Sequence, residues 1–165
     1  MRIAWAPPAA LCLAGCAYTF NPSLPDHVKT LQIPVVDNET LEATLPEELT
    51  TALSERFIAD NKLDVVIRDA DAVLEGSIFE YQNRVFGFSS GQAADEYIVV
   101  MKVRMRLRDR VKNKDLWSED EIAGRASYFI RGDQSGQTLG TEEEAREVAI
   151  RQIVDTVLSL TVEGW

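Results

Sequence analysis

Histidine is almost missing from this sequence of 165 residues, with His27 as its single example, and cysteine occurs only as Cys12 and Cys16. A cysteine–histidine pair or a serine–histidine–aspartate triad needs a histidine beside its nucleophile, and His27 stands instead in a Pro-containing entry segment. Zinc-type ligand spacing is also missing. Adjacent carboxylates such as Asp120 and Glu121 would point to opposite faces of a strand and would not converge on one substrate. These absences argue against an enzyme, and no cofactor or metal is implied. Cations are outnumbered, Lys and Arg totalling 17 against 27 Asp and Glu for a net charge of −10. That balance argues against nucleic acid as a partner. There is no internal repeat, no low-complexity tract, and no apolar run of the roughly 20 residues that a membrane-crossing helix needs.

What is present begins at the N-terminus. Met1 and Arg2 lead into the apolar stretch Ile3–Cys12 and then Leu13, Ala14, Gly15 and Cys16. The apolar part is too short to span a bilayer, and Pro7 and Pro8 would break a helix, so it reads as a signal peptide, removed after export. Leu13–Cys16 resembles the lipobox of bacterial lipoproteins, in which small residues precede a cysteine whose thiol is lipidated. Cys12 would leave with the leader, so no disulfide can form within the mature chain. Two or more acyl chains, palmitate among them, would hold the membrane stably where one holds marginally. Ala17, rather than an aspartate, follows the cysteine, so the expected location is the outer membrane, anchored on its periplasmic side. The expected organisation is a leader over 1–15, a lipidated linker over 16–28 and a single domain over 29–165, a length that suits one core.

Periodicity predicts an α+β fold. Lys29–Val36 alternates and reads as a strand, edge-placed or bulged because of Pro34, with a turn at Asp37 and Asn38. Thr44 and Glu47 suggest a capping box, and Leu45, Leu49, Ala52, Leu53 and Phe57 then share one helical face as far as Asn61. Lys62–Arg68 reads as a second short strand, parallel to the first through a β-α-β connection. Ala72–Phe86, Tyr97–Val111 and Leu116–Ile130 are long enough to pair as antiparallel neighbours. Thr141 and Glu144 repeat the capping-box pattern before a stripe of Ala145, Val148, Ala149, Ile153, Val157 and Leu160. The expected architecture is two helices packed on one face of a mixed, mainly antiparallel sheet of four to five strands, its other face open.

The open face carries the most informative pattern. One phase of the central long strand is apolar, and the other reads Lys102, Arg104, Arg106, Arg108 and Arg110. Same-face residues repeat about every 6.8 Å, so the five cations would line up over roughly 27 Å. Such a row suits a polyanion or an acidic wall. It equally suits cross-strand pairing with Glu75, Glu80, Glu119, Asp120 and Glu121, each pair contributing about 0.2 to 1 kcal/mol.

The order of segments resembles the LptE family of lipopolysaccharide-assembly lipoproteins. The matching residues are Cys16–Phe20 after the lipobox, Leu24 and Pro25 followed by Val28–Pro34, Asn38–Thr40 before the first helix, Ala72–Ile78, Gly91 and Gln92 to Glu96 and Tyr97, Asp115–Trp117, and Gly124–Phe129. The resemblance implies two helices on a four-stranded sheet. It also implies a non-catalytic role as a plug inside the LptD outer-membrane β-barrel, assisting barrel assembly and delivery of lipopolysaccharide. Some members carry cations between the long hairpin strands and just before the last helix. The corresponding stretches here, Gly87–Gln92 and Thr138–Thr141, carry none, which leaves Arg84, Arg125 and Arg131 as the nearest substitutes. The competing class is an envelope-assembly or secretion-channel lipoprotein that forms a homo-oligomeric ring, since Asn38–Thr40 and Asp71–Gly76 also look like modules of the curli-pore family.

Overall fold

Pro34 has no N–H to offer a sheet, and the first extended segment is interrupted around it. In the computed structural model, which describes residues 24–88, 94–130 and 140–162, that segment pairs only over β1 (Thr30–Gln32), and a second short strand, β2 (Asp37–Asn38), follows beyond its end. Both run parallel to β4 (Ala72–Phe88), β1 meeting it at Ala72 and Val73 and β2 at Ser77 and Ile78. The turn expected at Asp37 and Asn38 is therefore a paired strand. The chain reverses just beyond it, where the Asn38 side chain accepts hydrogen bonds from the Thr40 N–H and hydroxyl and donates to the Glu42 carbonyl.

The first helix, α1 (Leu45–Asp60), buries Leu45, Leu49, Leu53 and Phe57, a four-residue spacing that keeps one stripe on the sheet. The Thr44 capping box does not form. Thr44 has helical dihedrals and makes no side-chain cap hydrogen bond. A cap needs extended backbone to aim its oxygen at the first free N–H groups. Pro46 lacks one of those groups, and Glu47 and Glu48 favour the positive end of the helix dipole. At the other end Asn61 takes a left-handed conformation and its N–H returns to the Phe57 carbonyl.

Only β3 (Asp64–Val65) of the expected strand over 62–68 pairs, parallel to β1. The long strands β4, β5 (Ala94–Asp109) and β6 (Lys114–Phe129) form an antiparallel meander, and the sheet order is β3-β1-β4-β5-β6 with β2 beside β4. Register shifts interrupt the ladders around Phe79 in β4 and between Glu119 and Ile122 in β6. The second helix, α2 (Glu142–Val162), starts from the expected capping box: the Glu144 N–H donates to the Thr141 hydroxyl, and the Glu144 carboxylate accepts from the N–H groups of Gly140 and Thr141. Its buried stripe includes Ile150, Val154 and Leu158 beside the expected Ala145, Ala149, Ile153 and Val157, while Val148 and Leu160 are half-buried.

Both helices pack on the face of the sheet that presents Leu74, Ile78, Met101, Val103, Met105, Leu107 and Ile122, which is the expected α+β layering. Two glycines permit close approaches on that face. A Cβ on Gly76 would meet the Met105 sulfur at 2.2 Å, and one on Gly124 would meet the Ala149 carbonyl oxygen at 2.0 Å. Trp117 packs against the same core, and its indole Nε1 is enclosed without a hydrogen-bond partner. An unpaired buried N–H costs about 1–3 kcal/mol. Trp117→Phe removes that donor while losing part of the ring, so its expected stability, read by urea unfolding, lies within about 1 kcal/mol of the parent.

Candidate functional site

The open face is built by the even-numbered residues of β5 and their neighbours. Lys102, Arg104, Arg106 and Arg108 all project from it, as the alternation predicts, but Arg110 does not complete the ladder because β5 ends at Asp109. Arg110 has turned off the strand, and its guanidinium donates to the Gln32 side-chain oxygen at 3.2 Å.

Each of the four ladder residues is already engaged. Lys102 lies 3.3 Å from carboxylate oxygens of both Glu80 and Glu121, which raise its pKa. Arg106 donates through Nε and Nη2 to one Glu75 oxygen at 2.9 and 2.6 Å, a pairing that raises its pKa further. Arg104 donates to Glu39 at 3.1 Å and lies over the Phe79 ring, 4.8 Å from its centroid. Arg108 donates to the Asn113 side-chain oxygen. Glu75, Glu80 and Glu121 are thus the cross-strand partners the sequence suggested. Glu119 and Asp120 form no ion pair among the described residues, since they lie at the β6 register shift. Glu39 comes from the β2–α1 turn, a pairing that strand alternation alone could not indicate.

Arg84 and Arg125 continue the same face toward its distal end, opposite Ile98 and Val100. Both are exposed, and neither forms an ion pair among the described residues. They stand on strands two apart and one same-face step out of line, about 12 Å from one another by sheet spacings. Arg131 and Cys16 lie outside the described residues.

Two further clusters sit at opposite ends of the sheet. Near the start of α2 the Tyr81 hydroxyl donates to Glu142 at 2.7 Å, and the Asn83 amide donates to Glu142 and to the Tyr128 hydroxyl. Burial and the Glu142 carboxylate push the Tyr81 phenol up, so it remains a donor. Tyr128 in turn stacks on Tyr97, with centroids 5.5 Å apart.

At the other end, Asp71 accepts from the N–H groups of Lys29 and Thr30 and from the Thr30 hydroxyl, and the Asp71 N–H returns to that hydroxyl. The Lys29 N–H bond, followed by those of Thr30, lowers the Asp71 pKa. Asp109, with a fully enclosed side chain, accepts from Lys112 N–H and lies 2.8 Å from His27 Nε2. Burial pushes its carboxyl up, but the Lys112 hydrogen bond and the hydrogen bond and charge of His27 outweigh it, and the pKa is lowered. A charged residue in the apolar phase of β5 was the sequence signal for this site; its partner had been read only as part of the entry segment.

Both carboxylates therefore stabilise the fold fully above the ordinary range near pH 4, and lose that contribution as pH falls from there through their lowered values. The expected result for Asp71→Asn with Asp109→Asn is lower stability at neutral pH and a shallower loss below about pH 4 than in the parent, measured by urea midpoints across pH.

The fold recurs among known structures. A protein of Xanthomonas campestris aligns with TM-score 0.60 at 12% identity, covering 86% of this chain and 91% of that one. The PelC dodecamer of Paraburkholderia phytofirmans gives 0.56 at 18%, covering 86% and 93%. A minor lipoprotein of Acinetobacter baumannii gives 0.50 at 15%, covering 82% and 92%. No curated protein sequence matches the chain. Among family models, LptE, lipopolysaccharide-assembly, matches residues 28–160.

Proposed function

The chain belongs to the LptE lipopolysaccharide-assembly family, and on that premise we propose that it is an outer-membrane lipoprotein, acylated at Cys16, that plugs an LptD-type β-barrel and assists delivery of lipopolysaccharide to the cell surface. The role is non-catalytic: it positions a barrel and a glycolipid and transforms neither.

The observation that carries the reading is the ladder, three of whose four cations are paired with carboxylates. The interior of a wide barrel is polar and hydrated. A face on which Lys102, Arg104 and Arg106 each already meet a carboxylate can approach such a wall with little uncompensated charge, Arg108 being held by the neutral Asn113 amide. The same pairing makes Lys102, Arg104 and Arg106 poor phosphate ligands, because a carboxylate would have to be displaced first. Arg84 and Arg125 carry no such competitor, and a guanidinium can hold a phosphate through two parallel hydrogen bonds. The ladder is thus assigned to the barrel wall, and the distal pair to lipopolysaccharide phosphates.

The test is a detergent pull-down from the native outer membrane with a C-terminally tagged copy. The expected product is one large β-barrel in one-to-one ratio. Arg104→Glu with Arg106→Glu places carboxylates opposite Glu39 and Glu75 and is expected to lower barrel recovery about tenfold, a change of about 1.4 kcal/mol. Arg84→Ala with Arg125→Ala is expected to keep the barrel and reduce the lipopolysaccharide that accompanies it. Recovery of a homo-oligomeric ring with no barrel would overturn the plug and favour a ring-forming envelope lipoprotein; the Paraburkholderia PelC structure is itself a dodecamer.

A further inference from the structure

The helical layer has the opposite character to the sheet face. Nine carboxylates stand on α1 and α2 against three arginines. Between the two helices, on the side away from the sheet, runs a groove of about 800 Å³ with six carboxylates and three arginines in its lining. Ala52 and Ala59 supply its accessible apolar part, above the buried Ile150 and Val154. Arg56 reaches Asp155 at 3.0 Å and Arg146 reaches Glu48 at 2.8 Å, so two ion pairs tie α1 to α2. Once these are formed, Glu47, Glu55, Glu143 and Glu147 remain on the rim with no ion pair among the described residues, against Arg151 alone.

We infer that this groove docks a cationic amphipathic segment of a protein partner. Its apolar side chains lie on Ala52, Ala59 and the aliphatic stems around them, and its lysines or arginines meet the rim carboxylates. An isolated metal ion is a poor fit, because no group of three ligating side chains converges among the described residues. An anionic lipid surface is repelled by the rim. An uncharged apolar segment would leave four carboxylates pressed against it unpaired, which disfavours that occupant. A cationic segment answers both features of the groove, and its attraction fades as salt shortens the screening distance, about 8 Å at physiological strength and about 3 Å at 1 M. The inference stands apart from the barrel reading, since it uses no residue of the open sheet face.

The test uses the full-length lipoprotein in neutral detergent and, as probe, a synthetic amphipathic peptide of leucine and lysine. The expected result is saturable binding, with backbone amide shifts at Ala52, Ala59 and Val154. Affinity should fall about tenfold or more in the variant Glu47→Lys, Glu55→Lys, Glu143→Lys, Glu147→Lys, and to a similar degree when serine replaces leucine in the peptide at unchanged charge. If the fourfold variant does not fold, Ala52→Arg, which sets a cation into the groove from within, takes its place with the same expected loss. Shifts that map to Glu119, Asp120 and Glu121 instead would overturn the inference. So would equal binding of the serine peptide, which would mark attraction to acidic surface without a groove.

Discussion

Gly124→Val is expected to destabilise the protein by about 3 kcal/mol or more, moving its urea midpoint down by roughly 1.5 M. The cause is a backbone contact. Gly124 pairs with Met101 in the β5–β6 ladder and turns its bare α-carbon toward α2, where an added Cβ would lie 2.0 Å from the Ala149 carbonyl oxygen and 2.7 Å from its carbon. A flexible side chain could swing away from such an intrusion, but a helix carbonyl cannot, so α2 would have to lift from β6 as a unit. Lifting it exposes Ala145, Ala149 and Ile153, all with no accessible surface in the native fold. A control separates this account from ordinary crowding. Ala149→Gly, combined with Gly124→Val, removes a methyl group yet leaves the obstructing carbonyl, and is expected to restore no stability. Substantial rescue by that second change would show that the contact is between side chains, and the backbone account would fail.

Phe57→Ala is expected to cost about 4 kcal/mol, a large share of the 5–15 kcal/mol that holds a typical domain together. Phe57 is the last of the four residues that α1 buries, only 2% exposed, and belongs to the core cluster that includes Leu31 and Leu63. The strands beneath it, β1 and β3, pair over two residues and have little ladder of their own to resist a cavity. The neighbouring Ile58 is 62% exposed. Ile58→Ala should therefore change stability by no more than about 0.5 kcal/mol, and equal losses at both positions would show that α1 is held by something other than this stripe.

The parts of the fold that were legible in the sequence are those whose period is long and regular. Three alternating stretches became β4, β5 and β6 with ends displaced by up to three residues, and two helical stripes became α1 and α2. The same rule placed Lys102, Arg104, Arg106 and Arg108 on one face, together with three of their carboxylate partners. Less was legible where a single residue outweighs the pattern. Pro34 cut the strand expected over 29–36 short at β1, pairing resumed in β2 where a turn was expected, and the helical dihedrals of Thr44 left its hydroxyl with no helix N–H to cap. Arg110 was counted in the ladder because alternation carries no signal for where a strand stops. The importance of Gly124 depends on which helix crosses which strand, and hydropathy is silent on that. The hydrogen bond joining His27 to Asp109 spans 82 residues and follows from neither local pattern.

The strand order has a further consequence, for the sequence of events by which the chain becomes ordered. β1 lies between β3 and β4, so its pairing is incomplete until both Asp64–Val65 and Ala72–Val73 have been made. The meander β4-β5-β6 joins near neighbours and can close early, at low loop-closure cost, whereas β1 must wait and then enter a slot between two later strands. Arrival of α2, whose seat on Gly124 requires β6 to be in place, covers the core face of β5 and β6. A chain released before Glu142 would keep its sheet but leave the β5–β6 core uncovered, a state prone to aggregate.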